Sequence, residues 1–120
     1  MITSPRVLIV DESAESREVL RTLLERRGAI TLEARRPEQA LDIADRFHPD
    51  LIVLDAESDH SPAGAATSDL RDAAGRSDTP IVILGTVRHA RGPVSAGQFI
   101  AKPYHYGQLI RKIEDLLAAA

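Results

Sequence analysis

Two acidic side chains, Asp11 and Glu12, follow the apolar run Val7-Leu8-Ile9-Val10, and a third, Asp55, follows Leu51-Ile52-Val53-Leu54. One basic side chain, Lys102, precedes Pro103 near the end of the chain. Carboxylates are hard oxygen donors and suit a small divalent cation such as Mg2+. Like charges at short range do not all stay ionised without a cation between them. Three acids brought together therefore predict a Mg2+ site, or a carboxylate with a raised pKa when the metal is absent. A carboxylate flanked by Mg2+ and an ammonium group is also placed as a nucleophile toward phosphorus, because both cations offset charge on the phosphoryl oxygens. The chemistry these residues suggest is formation of an acyl phosphate.

Such a site needs a scaffold that brings the ends of separate strands into one crevice. The chain alternates between two periods. Val7 to Val10 reads as a strand, and Ser13 as the N-cap of a helix carrying Val19, Leu20, Leu23 and Leu24 and stopping at Gly28. Ala29 to Glu33 is a weaker strand. Pro37 suits a first helical turn and opens a helix with Ala40, Leu41, Ala44 and Phe47 on one side, ended by Pro49. Leu51 to Leu54 is apolar throughout, as a strand buried on both faces requires. Ala56 to Ala66 reads as a loop, Thr67 to Ala74 as a short helix before Gly75, and Ile81 to Leu84 as the fourth strand. Gln98 to Ala101 gives a short fifth strand. Leu109, Ile110, Ile113, Leu116 and Leu117 recur at helical spacing and define a closing helix. Strands alternating with helices predict an α/β, doubly wound, five-stranded parallel sheet in the flavodoxin-like order 2-1-3-4-5. In that order the first and third strands are neighbours at the switch point, so Asp11, Glu12 and Asp55 converge, and Lys102 reaches the crevice from the far side.

Composition excludes other classes. The chain has 120 residues, enough for one domain spanning residues 1–120, with 43% hydrophobic and 28% charged residues. There is no cysteine, so thiol redox chemistry and thiolate metal sites are excluded. A formal net charge of −3 with dispersed basic residues argues against direct nucleic-acid binding. No apolar run approaches a membrane span and no signal-peptide core follows Met1, which predicts a cytoplasmic protein without a membrane partner. His48, His60, His89 and His105 show no ligand spacing and read as surface residues.

The order of these motifs resembles a response-regulator receiver domain, the phosphoacceptor module of two-component signalling. The resemblance covers essentially the whole chain. It is carried by Val7-Leu8-Ile9-Val10-Asp11-Glu12, by Arg17 in the first helix, by Asp50-Leu51-Ile52-Val53-Leu54-Asp55, by Pro80-Ile81-Val82-Ile83-Leu84 and by Lys102-Pro103-Tyr104. It implies that Asp55 accepts a phosphoryl group from a histidine kinase or phosphotransfer protein. It also implies that Asp11 and Glu12 help to bind Mg2+, with the main-chain carbonyl of Glu57 as a further ligand, and that Lys102 contacts the phosphoryl group. The signal would pass to a downstream protein or a fused output domain. No enzymatic activity is implied beyond self-phosphorylation from a phosphodonor and autodephosphorylation.

The chain departs from the family pattern in three places. Gly85 stands where most receivers carry the Thr or Ser of the switch. Thr86 is next in line and is expected to substitute only if the strand end slips by one residue or the loop folds back. The aromatic half of the switch aligns with Phe99. The stretch from Gly85 to Lys102 is short and broken by Gly92-Pro93, so the fourth helix is expected to be shortened or replaced by a loop, with a small basic patch at Arg88, His89 and Arg91. Asp59 stands where a Pro is usual, and with Glu57 is expected to make the entrance more negative. An alternative reading follows from Gly85: a pseudo-receiver that binds its partner regardless of phosphorylation. A remoter one is a Mg2+-dependent phosphohydrolase using Glu57 as a second acid.

Overall fold

The computed structural model describes residues 4–86 and 98–119. Five parallel strands form one sheet in the order β2-β1-β3-β4-β5: β1 Arg6–Val10, β2 Ile30–Ala34, β3 Leu51–Asp55, β4 Ile81–Gly85 and β5 Phe99–Ala101. Four helices lie among the described residues: α1 Ala14–Arg26, α2 Pro37–Phe47, α3 Ala65–Arg76 and α4 Tyr106–Ala118. This is the doubly wound α/β architecture expected from the alternation of periods. The expected shortening or loss of a fourth helix, the Gly92-Pro93 break and the basic patch at Arg88, His89 and Arg91 lie outside the described residues.

Alternation along the strands divides the core in two. Val7, Ile9, Leu51, Val53, Val82, Leu84 and Ile100 face Leu20 and Leu24 of α1 and Leu109, Ile110 and Ile113 of α4. Leu8, Val10, Ile52, Leu54, Ile81 and Ile83 face Ala40 of α2 and Leu70 and Ala74 of α3. β1, β3 and β4 are buried on both faces, which is why they read as continuous apolar runs. β2 is the sheet edge, and Ile30 is half exposed, which explains its weak signal. Phe47, expected on the apolar side of α2, is 45% exposed at the helix end.

Local signals fix the helix starts and stops. Ser13 caps α1 by accepting from the Ser16 amide, and Gly28 turns the chain out of it with φ +89°. Pro37 begins α2, and His48 ends it in the left-handed region. α3 is longer than the Thr67–Ala74 read from sequence and runs through Gly75. Its N-cap, Gly64, has no side chain to satisfy the first amides, so residues outside the helix do so instead. Ser61 Oγ accepts from Ala66 N at 2.9 Å, and Asp59 Oδ2 accepts from Thr67 N at 2.9 Å.

Candidate functional site at the carboxyl edge of the sheet

The ladder pairs Val10 with Leu54 and Asp55 with Leu84. Asp11 and Asp55 therefore stand side by side where β1 and β3 reach the carboxyl edge. Both are nearly buried, at 8% and 9% exposure. Lys102 follows β5 and extends its ladder, donating its amide to Gly85 O at 2.8 Å. Its ammonium crosses β4 to reach Asp55 Oδ1 at 2.8 Å and stands 3.6 Å from Glu57 Oε1.

Both hydrogen bonds that described residues give the Asp55 carboxylate fall on Oδ1, from Lys102 Nζ and from the Glu57 amide at 3.1 Å. Asp11 Oδ1 accepts from Ser13 N at 2.9 Å. Burial raises the Asp11 pKa, and the Asp55 charge adds to this against the opposing Ser13 bond, Lys102 and Arg17. Burial alone would lower Lys102, but the hydrogen bond to Asp55 and the charges of Asp55, Glu57 and Asp11 outweigh it and leave its pKa raised. Arg17 fixes the start of the β1–α1 connection, donating to Asp11 O at 2.7 Å and to Glu33 Oε1 at 3.0 Å.

Glu12 is placed differently from the expectation of three converging acids. Its amide donates to the fully buried Ser58 Oγ at 2.9 Å. Its carboxylate turns to His60, whose Nε2 is 2.7 Å from Oε2, and to Arg36 NH1, 4.0 Å from the same oxygen. Among the described residues, no three His, Asp or Glu side chains come together as a metal-holding group. The physical reason is that a carboxylate at a crevice mouth takes the nearest cationic or N–H partner, and His60 and Arg36 supply it. The donor set still fits a hard cation. Asp11 and Asp55 are neighbouring carboxylates, and burial and the Asp55 charge raise the Asp11 pKa, a charge conflict that a divalent ion would relieve. The Glu57 carbonyl, in the 3-10 turn Ala56–Ser58 that starts at Asp55, is an oxygen of the required type.

Around this centre stand the residues singled out for switching. Gly85 ends β4 and Thr86 follows it. The ladder pairs Asp55 with Leu84 and Gly85 with Ala101, so Thr86 lies one residue beyond the last pair of β4. Phe99 is partly buried, pairs with Ile83, and packs on the α2–α3 side of the sheet.

Sequence reasoning gave no part to Ser58, His60 or Tyr104 beyond motif membership. Tyr104 packs on the α1–α4 core and meets Tyr106 edge to face, with centroids 5.7 Å apart. Burial first, then Tyr106 and the charges of Asp11 and Asp55, push its pKa up to about 12, which places its hydroxyl within the field of the acids. The Asp59 carboxylate accepts from the amides and hydroxyls of Ser61 and Thr67, which, against the effect of burial, hold its pKa below the usual carboxylate value and favour its charged form.

A family model for the response regulator receiver domain matches residues 7–114. The chain is 29% identical over 117 residues to the chemotaxis protein CheY of Halobacterium salinarum, covering 95% of this chain and 98% of that protein. It is also 29% identical over 117 residues to the probable transcriptional regulator ycf27 of Porphyridium aerugineum, covering 93% of this chain and 48% of that protein. Against the ycf27 relatives the chain thus spans about half their length. Among solved structures, a receiver domain of a signal transduction histidine kinase from Syntrophus aciditrophicus superposes with a TM-score of 0.80 at 24% identity, covering 98% of this chain and 92% of that one. The chemotaxis response regulator CheY4 of Vibrio cholerae gives 0.76 at 23% identity, covering 95% and 99%. No helix among the described residues is long and apolar enough to cross a membrane. With the sheet order, the paired edge carboxylates, the Lys102 contact and the family match over residues 7–114 together, the chain belongs to the response regulator receiver domain family of two-component signalling.

Proposed function

We propose that Asp55 is the phosphoacceptor of this receiver, and that it takes a phosphoryl group from a histidine kinase or phosphotransfer protein in a Mg2+-dependent reaction. The observation that carries this reading is the contact of Lys102 Nζ with Asp55 Oδ1 at 2.8 Å. It holds one carboxylate oxygen and orients Oδ2 as the attacking atom. In the transfer, an Oδ2–P bond forms as the P–N bond to the donor imidazole breaks, and the imidazole leaves with the bonding pair. Lys102 is then placed to follow the charge onto a phosphoryl oxygen. Mg2+, when bound, neutralises the phosphoryl oxygens and the carboxylates that would otherwise repel them. Asp11, Asp55 and the Glu57 carbonyl would hold it, with Glu12 joining from the rim. Arg17 and Ser13 orient Asp11, and the Glu57 amide orients Asp55.

Thr86, the hydroxyl next after Gly85, substitutes for the residue missing there, with Phe99 as the aromatic partner on β5. The switched surface then passes a signal to a downstream protein or a fused output domain. Mass spectrometry after incubation with phosphoramidate and MgCl2 tests the reading. One added phosphoryl group is expected, absent in Asp55→Asn and without Mg2+; an unmodified mass for the wild-type chain overturns it.

A second reading, a pseudo-receiver that binds its partner independently of phosphorylation, is motivated by Gly85 and by the short stretch from Gly85 to Lys102 with its Gly92-Pro93 break. Equal partner affinity with and without phosphodonor would support it. The phosphohydrolase reading needs Glu57 as an acid beside a substrate, whereas its carboxylate faces the Lys102 ammonium.

A further inference from the structure

Glu12 is bound twice to the loop that follows the acceptor strand. Its amide donates to Ser58 Oγ at 2.9 Å, and its carboxylate oxygen Oε2 lies 2.7 Å from His60 Nε2. The same oxygen lies 4.0 Å from Arg36 NH1, on the connection between β2 and α2. Three connections of the crevice mouth thus meet on one carboxylate. The two buried acids, Asp11 and Asp55, sit below without it, and no three-acid group forms among the described residues.

The geometry points to His60, assisted by Arg36, as a positioning residue that holds the Glu12 carboxylate out of the acid centre, so that a divalent cation must displace it to recruit Glu12. This rests on the reading of Asp11 and Asp55 as the metal side of a phosphoacceptor site. A neutral imidazole with its proton on Nε2 also donates to the carboxylate, and a charged one donates more strongly, so the contact exists in either protonation state. Because Ser58 and His60 are two residues apart, any shift of the acceptor loop moves backbone and carboxylate of Glu12 together.

The pair is exposed, with side-chain exposures of 54% for His60 and 41% for Glu12. Exposed ion pairs are weak, so removing His60 should tighten Mg2+ binding by about two- to fivefold. Calorimetric titration of MgCl2 into wild type, His60→Ala, Glu12→Gln and the double variant tests this. The expected result is tighter binding in His60→Ala and no further effect of that substitution in the Glu12→Gln background. His60→Gln, which retains an N–H donor, should sit between wild type and His60→Ala. In wild type, saturating Mg2+ should also move the His60 imidazole 15N resonances, and in Glu12→Gln it should leave them in place.

Equal affinity of wild type and His60→Ala overturns the proposal while leaving the metal reading intact. So does an equal gain in the Glu12→Gln background, since that would be general relief of positive charge. If neither wild type nor His60→Ala binds Mg2+, the metal reading fails and the positioning role falls with it.

Discussion

Lys102 Nζ and the Glu57 amide converge on one oxygen of Asp55, Oδ1, at 2.8 and 3.1 Å. A carboxylate held in this way is asymmetric: among the described residues, two N–H donors fix one oxygen and none bonds the other. The asymmetry follows from topology. Lys102 comes from the far side of β4, and Glu57 comes from the turn that Asp55 itself initiates.

Replacing Lys102 with Met should destabilise the metal-free fold. The substitution leaves Asp55 beside Asp11 with no nearby ammonium, and losing a charged partner at a mostly buried group costs about 1–3 kcal/mol. Mg2+ should shrink this loss, since it supplies the missing charge. The sign of the pH dependence follows from the raised Lys102 pKa. The pair's contribution is complete below the ordinary lysine value of 10.5 and fades as pH rises through the higher folded-state value. Urea midpoints for both proteins, with and without MgCl2, test this; equal metal-free midpoints would show that the contact holds nothing.

Asp11 responds to pH in the same sense. Its folded pKa is raised, chiefly by burial, so the folded state holds the Asp11 proton more tightly than the unfolded chain does. Stability from this group therefore falls as pH rises from the ordinary value of 3.8 through the raised one. Asp11→Asn keeps an acceptor for Ser13 N and removes the charge conflict. It should raise metal-free stability at pH 7 by on the order of 1 kcal/mol while weakening Mg2+ binding. A variant that is less stable and binds Mg2+ as wild type does would contradict both halves. In the wild type, acid should release Mg2+ at a higher pH than an ordinary aspartate would allow.

Asp11 and Asp55 were legible in the sequence because each stands at the carboxyl end of a buried parallel strand, and such strands announce themselves as unbroken apolar runs. The strand order was legible for the same reason. What stayed hidden is non-local. Nothing in a period or a motif pairs Glu12 with His60, 48 positions apart, so the three acids read as one cluster. The longer α3 was missed because its amides are satisfied by Asp59 and Ser61, outside the helix, rather than by a side chain at the cap position.

Asp59 gives a stability prediction independent of the acceptor chemistry. Burial would raise its pKa, but the hydrogen bonds from the hydroxyls and amides of Ser61 and Thr67 together hold it below the usual carboxylate value. The contribution is therefore present above 3.8 and lost as pH falls through the lower folded-state value. Asp59→Ala removes the partner of the Thr67 amide and should cost about 0.5–2 kcal/mol, the range for losing a helix cap. Hydrogen exchange should show faster loss at Thr67 than at Leu70 in the variant. Unchanged exchange at Thr67 would mean that the Asp59 bond does not hold the start of α3.

The proposed switch role of Thr86 is testable by substitution. Leu84 is the ladder partner of Asp55, Gly85 ends β4 beside Ala101, and Thr86 follows it. Thr86→Ser keeps the hydroxyl and Thr86→Ala removes it. With phosphoramidate and MgCl2, wild type and Thr86→Ser should show the same chemical-shift changes at Phe99 and Ile100, while Thr86→Ala should accept the phosphoryl group and lose most of that response. Full response in Thr86→Ala would remove the hydroxyl from the relay and leave the Lys102 loop as the route by which β5 senses the modified carboxylate. Loss in Thr86→Ser as well would point to packing of the Thr methyl group instead.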